Sequence, residues 1–427
     1  MGSKITSVFA RQVFTERGHP GIEATVVTEN GATASAVATA GVSVGKHEVQ
    51  FAYDGGTRWG GKGVQKAVVN VNNVISPVLK GMDATKQREV DEAMIKLDGT
   101  PNKSRLGGNA TASISAAVLK AGAASIGMPL YQYIGGIASC TLPVPAVGCL
   151  IGSTRYGGDF RRSGGKPSYS LVCYGFKSFS EASYACWNVS EHFLRLIGDR
   201  TKIMQYQRRF RFVELLEGVV EHDRELWDAM VDAIAEAGYK NRVGIQVDVA
   251  AGTYYNAEKG VFVGLFSRED KTREDLMDLY KDMVATYPFV IIEDPLDEID
   301  YEGHAILAKE LGVEVVGDDL FTTNPERLRQ GIEAGACNAV LLKINQIGTI
   351  SEAFDVVQLA YKHGYGVMPC SSRGEGPTIA DYAVGLNTGH LREGGTGPTA
   401  NRLLKIEEEL GTGAKFPGKN GLKLAGY

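Results

Sequence analysis

Short apolar runs recur at a constant step in the C-terminal half of the chain. Glu293, Asp318, Lys343 and Met368 are each separated by 25 positions, and each stands at or near the end of such a run. A further run, Val243–Asp248, ends in the same way. Residues with helical spacing lie between the runs. A step of about 25 residues accommodates one strand and one helix, so this half predicts a βα barrel.

The N-terminal half has a different pattern. Strand-like stretches lie near 5–11, 22–27 and 33–38, and apolar residues at helical spacing follow over 62–135. Two prolines in the segment 141–146 mark the predicted boundary. The chain is therefore predicted to be an α/β protein with an α+β domain at 1–140 and a barrel at 141–427. The barrel helices are predicted at 273–286, 301–311, 325–334, 350–363 and 379–388.

Composition and charge narrow the class of protein. A chain of 427 residues is too long for one ordinary core, and its 44% hydrophobic and 22% charged residues suit a globular protein. A net charge of −5 gives no general attraction to nucleic acid. No run approaches the about 20 apolar residues of a membrane span, and no signal peptide is recognised. Six cysteines without metal-binding spacing predict reduced, buried thiols in a cytoplasmic protein.

The strand ends carry the candidate chemistry. The C-terminal ends of barrel strands meet in one mouth, where Asp248, Glu293, Asp318 and Lys343 are expected to converge. Three carboxylates are suitable ligands for a hard divalent cation, most plausibly Mg²⁺. A lysine beside that cation can act as a general base if its pKa is lowered.

Several motifs between Ile5 and about Leu410, with a break across roughly 146–225, resemble the enolase family. Gly41–Glu48 resembles the mobile catalytic loop of the family, and the most specific motifs are Lys96–Ser104, Ile292–Pro295, Val316–Asp319, Leu342–Gly348 and Ile406–Leu410. The resemblance implies an eight-stranded barrel capped by the N-terminal α+β domain. It also implies a homodimer or higher homo-oligomer.

The same resemblance implies roles for individual residues. Asp248, Glu293 and Asp318 match the ligands of the tighter Mg²⁺, and Ser43 matches a loop serine that reaches a second Mg²⁺ when the site closes. Lys343 matches the catalytic base that takes a proton from the carbon next to a carboxylate.

Substrate binding is implied at two further places. The phosphate-binding motif of the family becomes Cys370–Arg373, so Ser372 and Arg373 are expected to hold a phosphate. Arg392 stands where the family has a lysine for the substrate carboxylate, and is expected to bind that group.

The chain departs from the family where an acid helps hydroxide to leave. The expected glutamates fall near Pro167–Ser168 and near 212–215, where Glu214 or Glu217 could substitute. Arginines are numerous nearby, and they either bind a second, bulkier anion or form a solvated face. They are Arg155, Arg161, Arg162, Arg208, Arg209 and Arg211.

These departures favour a divergent Mg²⁺-dependent enzyme. The expected substrates are phosphoglycerate or phosphoenolpyruvate and a nucleotide-activated phosphonate. The expected reaction is phosphonoformate transfer, similar to that of carboxyphosphonoenolpyruvate synthase in phosphonate antibiotic biosynthesis. One alternative is a true enolase, a glycolytic 2-phosphoglycerate dehydratase with an altered general acid. A non-catalytic scaffold is the other, although such a protein has no need of the metal ligands and Lys343.

Overall fold

The computed structural model describes residues 2–15, 18–41, 44–151, 155–156, 165–201, 213–215, 217–371 and 373–424. An antiparallel three-stranded sheet opens the chain, with β1 at Ile5–Phe14, β2 at Pro20–Thr28 and β3 at Thr33–Ala38. The helix Gly108–Ser125 packs on β2 and β3. Because this helix is buried on nearly all sides, it lies at the centre of the hydrophobic core of the N-terminal half.

The rest of the chain forms a barrel with a small hairpin beside it. Its strands are β4 Val144–Ile151, β5 Ser168–Cys173, β6 Val213–Glu214, β7 Val243–Asp248, β8 Tyr255–Asn256, β9 Val261–Phe262, β10 Phe289–Glu293, β11 Glu314–Gly317, β12 Ala339–Leu342, β13 Gly366–Pro369 and β14 His390–Gly394. The order around the sheet is β13-β12-β11-β10-β7-β5-β4-β14, with β6 beside β4 and β8 paired to β9. Bridges Val367–Gly389 and Cys370–Arg392 join β13 to β14 and close the sheet. The predicted α/β barrel of eight strands is confirmed.

One barrel strand runs against the others. β5 pairs antiparallel with both β4 and β7, whereas the other neighbouring barrel strands pair in parallel. In this register Ser168, the first residue of β5, lies opposite Asp248, the last residue of β7. The residues that precede β5 therefore reach the same end of the barrel as those that follow the parallel strands.

The helices between the later strands match the predicted ones closely. Local capping explains their starts: the Asn324 side chain accepts the amides of Glu326 and Arg327, and Thr272 forms a capping box with Asp275. The longer described helices are Gln65–Val69, Gln87–Asp98, Gly108–Ser125, Leu130–Gly135, Phe179–Thr201, Arg224–Glu236, Arg273–Thr286, Tyr301–Glu310, Pro325–Ala334, Ile350–Lys362, Thr378–Gly385 and Gly397–Leu410.

Two apolar layers hold the strand ends in place. Inward-facing side chains, such as Val172, Ile291 and Met368, fill the barrel, and a larger cluster lies between the sheet and the surrounding helices. All six cysteines are free and five are buried, in agreement with the sequence-based expectation. Among the described residues no single helix is long and apolar enough to cross a membrane. One bent pair of helices, Gly108–Ser125 with Leu130–Ala138, has together the length and composition of a membrane span, but no other observation supports a span there.

Candidate functional site

Three buried carboxylates gather at the mouth of the barrel. Asp248 ends β7, Glu293 ends the neighbouring β10, and Asp318 directly follows β11. Asp248 and Glu293 are register partners, and all three side chains are at most 5% exposed. The structure thus places all three residues that the sequence offers as metal ligands at one end of the barrel, with Asp248 beside Glu293.

The cluster offers oxygen ligands to a divalent cation. Ligand oxygens of Glu293, Asp294 and Asp318 all lie within 4.8 Å of one another. Asp294 is already engaged, because its carboxylate accepts the amides of Asp318 at 3.0 Å and Asp319 at 2.8 Å. Glu293 Oε2 is buried and has no hydrogen-bond partner among the described residues. A buried carboxylate oxygen without a donor beside other carboxylates suits a hard cation such as Mg²⁺.

Lys343 lies directly against this cluster. It follows β12, and its Nζ forms an ion pair with Asp318 Oδ2, while Gln346 Nε2 donates to Asp318 Oδ1 at 2.7 Å. Burial is the largest single influence and raises the pKa of Asp318, but the charges of Lys343 and Arg373, together with hydrogen bonds from Lys343 and Gln346, outweigh burial and lower this pKa to about 2.

The pKa of Lys343 itself is shifted in the direction opposite to the expectation. Burial is the largest single influence and lowers this pKa, but the charge of Asp318, together with smaller contributions from neighbours such as Glu293, outweighs burial, so that the pKa is raised. The physical reason is that the unneutralised charge of Asp318 stabilises the ammonium form. The lowered pKa expected of a base therefore requires a cation that takes over the charge of Asp318.

Arg392 lies between the other two carboxylates. Its Nη1 donates to Glu293 Oε1 at 2.9 Å, and its Nη2 contacts Asp248 Oδ2 and donates to Ser168 Oγ at 3.3 Å. The side chain reaches the mouth because β14 passes between β13 and β4. The structure places this predicted substrate-binding residue within the carboxylate cluster.

Lys166 is a site residue that the sequence analysis missed. Its Nζ forms an ion pair with Asp248 Oδ2, and its side chain is 14% exposed. Burial, followed by the charge of Arg392, lowers the pKa of Lys166 to about 7. The sequence offered one indication that this segment belongs to the site. The family has an acidic residue at the position of Ser168, and Lys166 stands two positions before it.

Arg155 does not lie where the sequence suggested. It is 1% exposed, and its Nε and Nη2 donate to the carboxylate of Asp223 at 3.0 and 2.9 Å. The hydroxyls of Tyr156 and Tyr169 donate to the same carboxylate at 2.7 and 2.6 Å. Its guanidinium therefore balances a buried carboxylate and is not presented to an incoming anion, contrary to the expected substrate contact.

Arg373 joins the barrel mouth to the capping half. Its guanidinium forms a two-point ion pair with Glu48, and both side chains are 2% exposed. Glu48 also accepts the amide of Gly45 at 3.0 Å. A Cβ on Gly45 would lie 3.1 Å from Asp319 Oδ1, so the absence of a side chain allows the close approach of this loop. The end of the 41–48 motif is thereby held at the site.

The remaining candidates are less informative. Glu214 is the last residue of β6, lies beside Ile151 and is half-buried. Within the described part of the chain, no hydrogen bond or ion pair joins its side chain to the carboxylate cluster. Other predicted residues lie outside the described residues, namely Ser43, Arg161, Arg162, Arg208, Arg209, Arg211 and Ser372.

Comparison with known proteins gives matches along nearly the entire chain. The model described as "Enolase, N-terminal domain" matches residues 5–134, and "Enolase, C-terminal TIM barrel domain" matches residues 140–425. Proteins named Enolase from Methanopyrus kandleri and Methanocaldococcus jannaschii are each 42% identical, with 98% of both chains covered. Enolase of Thermococcus kodakarensis is 43% identical, with 97% of both chains covered.

These comparisons correct the favoured sequence-based function. Relatives that match over nearly the full length are named Enolase. The expectation of a phosphonoformate transferase in phosphonate antibiotic biosynthesis was therefore wrong. The arginines of 155–211 then have no reason to be assigned to a nucleotide-activated phosphonate. The comparisons favour the alternative of a true enolase.

Proposed function

Since this chain belongs to the enolase family, we propose that it catalyses the Mg²⁺-dependent dehydration of 2-phosphoglycerate to phosphoenolpyruvate. The names of its relatives support the reaction. The observation that carries the proposal is the ion pair of Lys343 with Asp318 beside Glu293. A proton acceptor next to a set of metal ligands is the arrangement that removal of a weakly acidic proton requires.

The metal would be held by Asp248, Glu293 and Asp318. When bound, Mg²⁺ supplies positive charge that stabilises the dianion formed from the substrate carboxylate. The orphaned Glu293 Oε2 and the hard oxygen donors support this assignment. Ser43 is retained in the proposal as a further ligand and catalytic loop residue.

The side chains around the cluster would then divide the work on the substrate. Lys343 takes the proton from carbon 2. Arg392, which lies between Glu293 and Asp248, binds the carboxylate, and Arg373 binds the phosphate together with Ser372. Both arginines stay charged throughout, which suits binding of permanent anions.

The direct test is phosphoenolpyruvate formation, followed by its ultraviolet absorbance, with 2-phosphoglycerate and saturating Mg²⁺. Lys343→Ala should lose about 10²–10⁴-fold in turnover, because it removes a positioned base. Lys309→Ala is the matched control, since Lys309 is an exposed lysine on the helix Tyr301–Glu310. If the wild-type protein forms no phosphoenolpyruvate under these conditions, the proposed function is wrong.

The family also supports a proposal about assembly and location. We propose a homodimer or higher homo-oligomer in the cytoplasm, as for an enzyme with a small anionic substrate. Light scattering after size-exclusion chromatography measures the assembly directly. A monomeric mass across the working concentration range would contradict it.

A further inference from the structure

We propose that Asn345 is a positioning residue for the guanidinium of Arg373, an inference that rests on the phosphate-binding role of Arg373 in the proposed function. Asn345 lies two positions after Lys343, on the short buried helix Ile344–Ile347. Its side-chain amide joins two segments that are far apart in sequence, the one that bears Arg373 and the end of strand β3. The residue acts on the substrate only through the main chain of Arg373.

Both donors of the Asn345 amide are directed at main-chain carbonyls. Nδ2 donates to the Arg373 carbonyl at 2.9 Å and to the Thr39 carbonyl at 2.7 Å. These partners fix the orientation of the amide, because two carbonyl oxygens accept hydrogen bonds from its nitrogen and not from its oxygen. Oδ1 is buried and has no hydrogen-bond partner among the described residues. Within that part of the chain, removal of the amide therefore removes these two bonds alone.

Arg373 needs such support because it lies outside the strand that precedes it. Strand β13 ends at Pro369, four positions earlier. Besides the bond from Asn345, the Thr39 amide donates to the Arg373 carbonyl at 3.1 Å, and the Arg373 amide donates to Glu375 Oε2 at 3.1 Å. A guanidinium binds a phosphate through two parallel bonds of strict geometry, so the main chain that carries it must be held in place.

The helix that carries Asn345 is joined firmly to the barrel strand that ends before Lys343. All four of its residues are buried. The Thr323 hydroxyl accepts the Lys343 amide at 3.0 Å, and the Lys343 carbonyl accepts the Gln346 amide at 3.1 Å. An amide on this helix therefore fixes the position of Arg373 relative to the proposed base. That position matters, because a displacement of about 1 Å can reduce a rate considerably.

Asn345 and its neighbour Gln346 also hold the chain on both sides of the Gly41–Glu48 motif. Thr39, which accepts from Asn345, lies two positions before the motif. The amide of Val49, directly after the motif, donates to the Gln346 carbonyl at 3.0 Å. Both flanks of the motif are thus anchored to the helix that also holds the phosphate-binding arginine.

A double-variant cycle on the affinity for 2-phosphoglycerate tests the inference. Asn345→Leu keeps the approximate size of the side chain and removes both donors. It should raise the Kd by about 10–10²-fold, the order of loss that a displacement of about 1 Å can cause. Added to Arg373→Ala, it should raise the Kd no further, because the guanidinium that it would misplace is already absent. Calorimetry with saturating Mg²⁺ measures the tighter variants, and phosphorus NMR measures the weaker ones.

Asn338→Leu is the matched control. Asn338 also joins two main-chain groups, since it accepts the Val315 amide at 2.8 Å and donates to the Val313 carbonyl at 3.0 Å. It directly precedes β12, so it lies at the end of that strand away from the mouth. Asn338→Leu should lower Tm and leave the Kd unchanged, which is also what a merely structural role of Asn345 would give.

Asn345→Ser carries the test if Asn345→Leu does not fold, because the small serine retains one donor and should raise the Kd by a smaller factor. A wild-type Kd in the folded Asn345 variants would overturn the inference, and so would effects of Asn345 and Arg373 that multiply. Failure of the proposed function is distinguishable. A wild-type protein that binds 2-phosphoglycerate without forming phosphoenolpyruvate contradicts that function alone, while the affinity cycle still decides the role of Asn345.

Discussion

The buried network around Asp223 allows a quantitative prediction about stability. Asp223 is fully buried and accepts four hydrogen bonds, two from Arg155 and one each from Tyr156 and Tyr169. Asp223→Asn keeps the shape of the side chain but removes its charge. It also turns an amide group, which donates, toward groups that need an acceptor.

The size of the effect follows from the burial of the pair. Removing one partner of a buried ion pair costs about 3–5 kcal/mol, because the other charge is left uncompensated. A loss of about 1 kcal/mol lowers Tm by about 2–4 °C in domains of about 150–250 residues, and by less in larger ones. We therefore expect Asp223→Asn to lower Tm by about 5–10 °C.

The assay is thermal unfolding followed by circular dichroism, with Arg155→Met/Asp223→Asn as the informative comparison. Replacing both partners leaves no buried charge, so the double variant should be more stable than Asp223→Asn alone. Tyr169→Phe is a milder control that removes one donor to Asp223 and the acceptor of Trp227 Nε1, at about 1–3 kcal/mol. Arg155→Met alone completes the comparison. If the fall in Tm of the double variant equals the sum of the falls in the two single variants, Arg155 and Asp223 do not stabilise each other as a pair.

Three further predictions concern the carboxylate cluster. Asp318→Ala should weaken Mg²⁺ binding in calorimetric titration, and an unchanged affinity would remove Asp318 from the ligand set. Arg373→Ala and Arg392→Ala should each raise the Kd of 2-phosphoglycerate, and the assignment fails if both variants bind it normally. Because Lys343, Arg373 and Gln346 lower the pKa of Asp318 from 3.8 to about 2, its ionised carboxylate should contribute about 2 kcal/mol to folding stability above about pH 4, and this contribution should be lost as the pH falls to about 2. In Mg²⁺-free buffer, the free energy of unfolding of Asp318→Asn should not show this loss at low pH. If Asp318→Asn and the wild-type protein lose stability equally at low pH, the prediction is wrong.

Local patterns were sufficient to predict much of the barrel. The run Val243–Asp248 is a strand with the predicted bounds, and Asn324 caps its helix as expected. These features depend on periodicity and on hydrogen bonds between near neighbours in sequence. The placement of Asp248, Glu293 and Asp318 at one end of the barrel followed from the geometry of parallel strands.

Features that depend on distant partners could not be predicted in this way. Arg155 looked like an anion-binding residue because its partner, Asp223, lies 68 positions away. Lys166 was missed because a reversed strand places the residues before it at the mouth, and no local pattern reports strand direction. The raised pKa of Lys343 likewise depends on a contact that only the folded chain creates.

In the ion pair between Glu48 and Arg373, a carboxylate of the protein itself competes with free anions for the guanidinium. The two residues are 325 positions apart, yet folding holds the carboxylate beside the guanidinium at a high effective concentration. A free anion that binds Nη1 and Nη2 of Arg373 competes with Glu48 for the same two groups. The measured affinity of Arg373 for a free anion therefore reflects the difference between two binding free energies, that of the free anion and that of the tethered Glu48 carboxylate. Occupancy of the barrel mouth and the docking of residues 45–48 are thermodynamically linked through this single guanidinium.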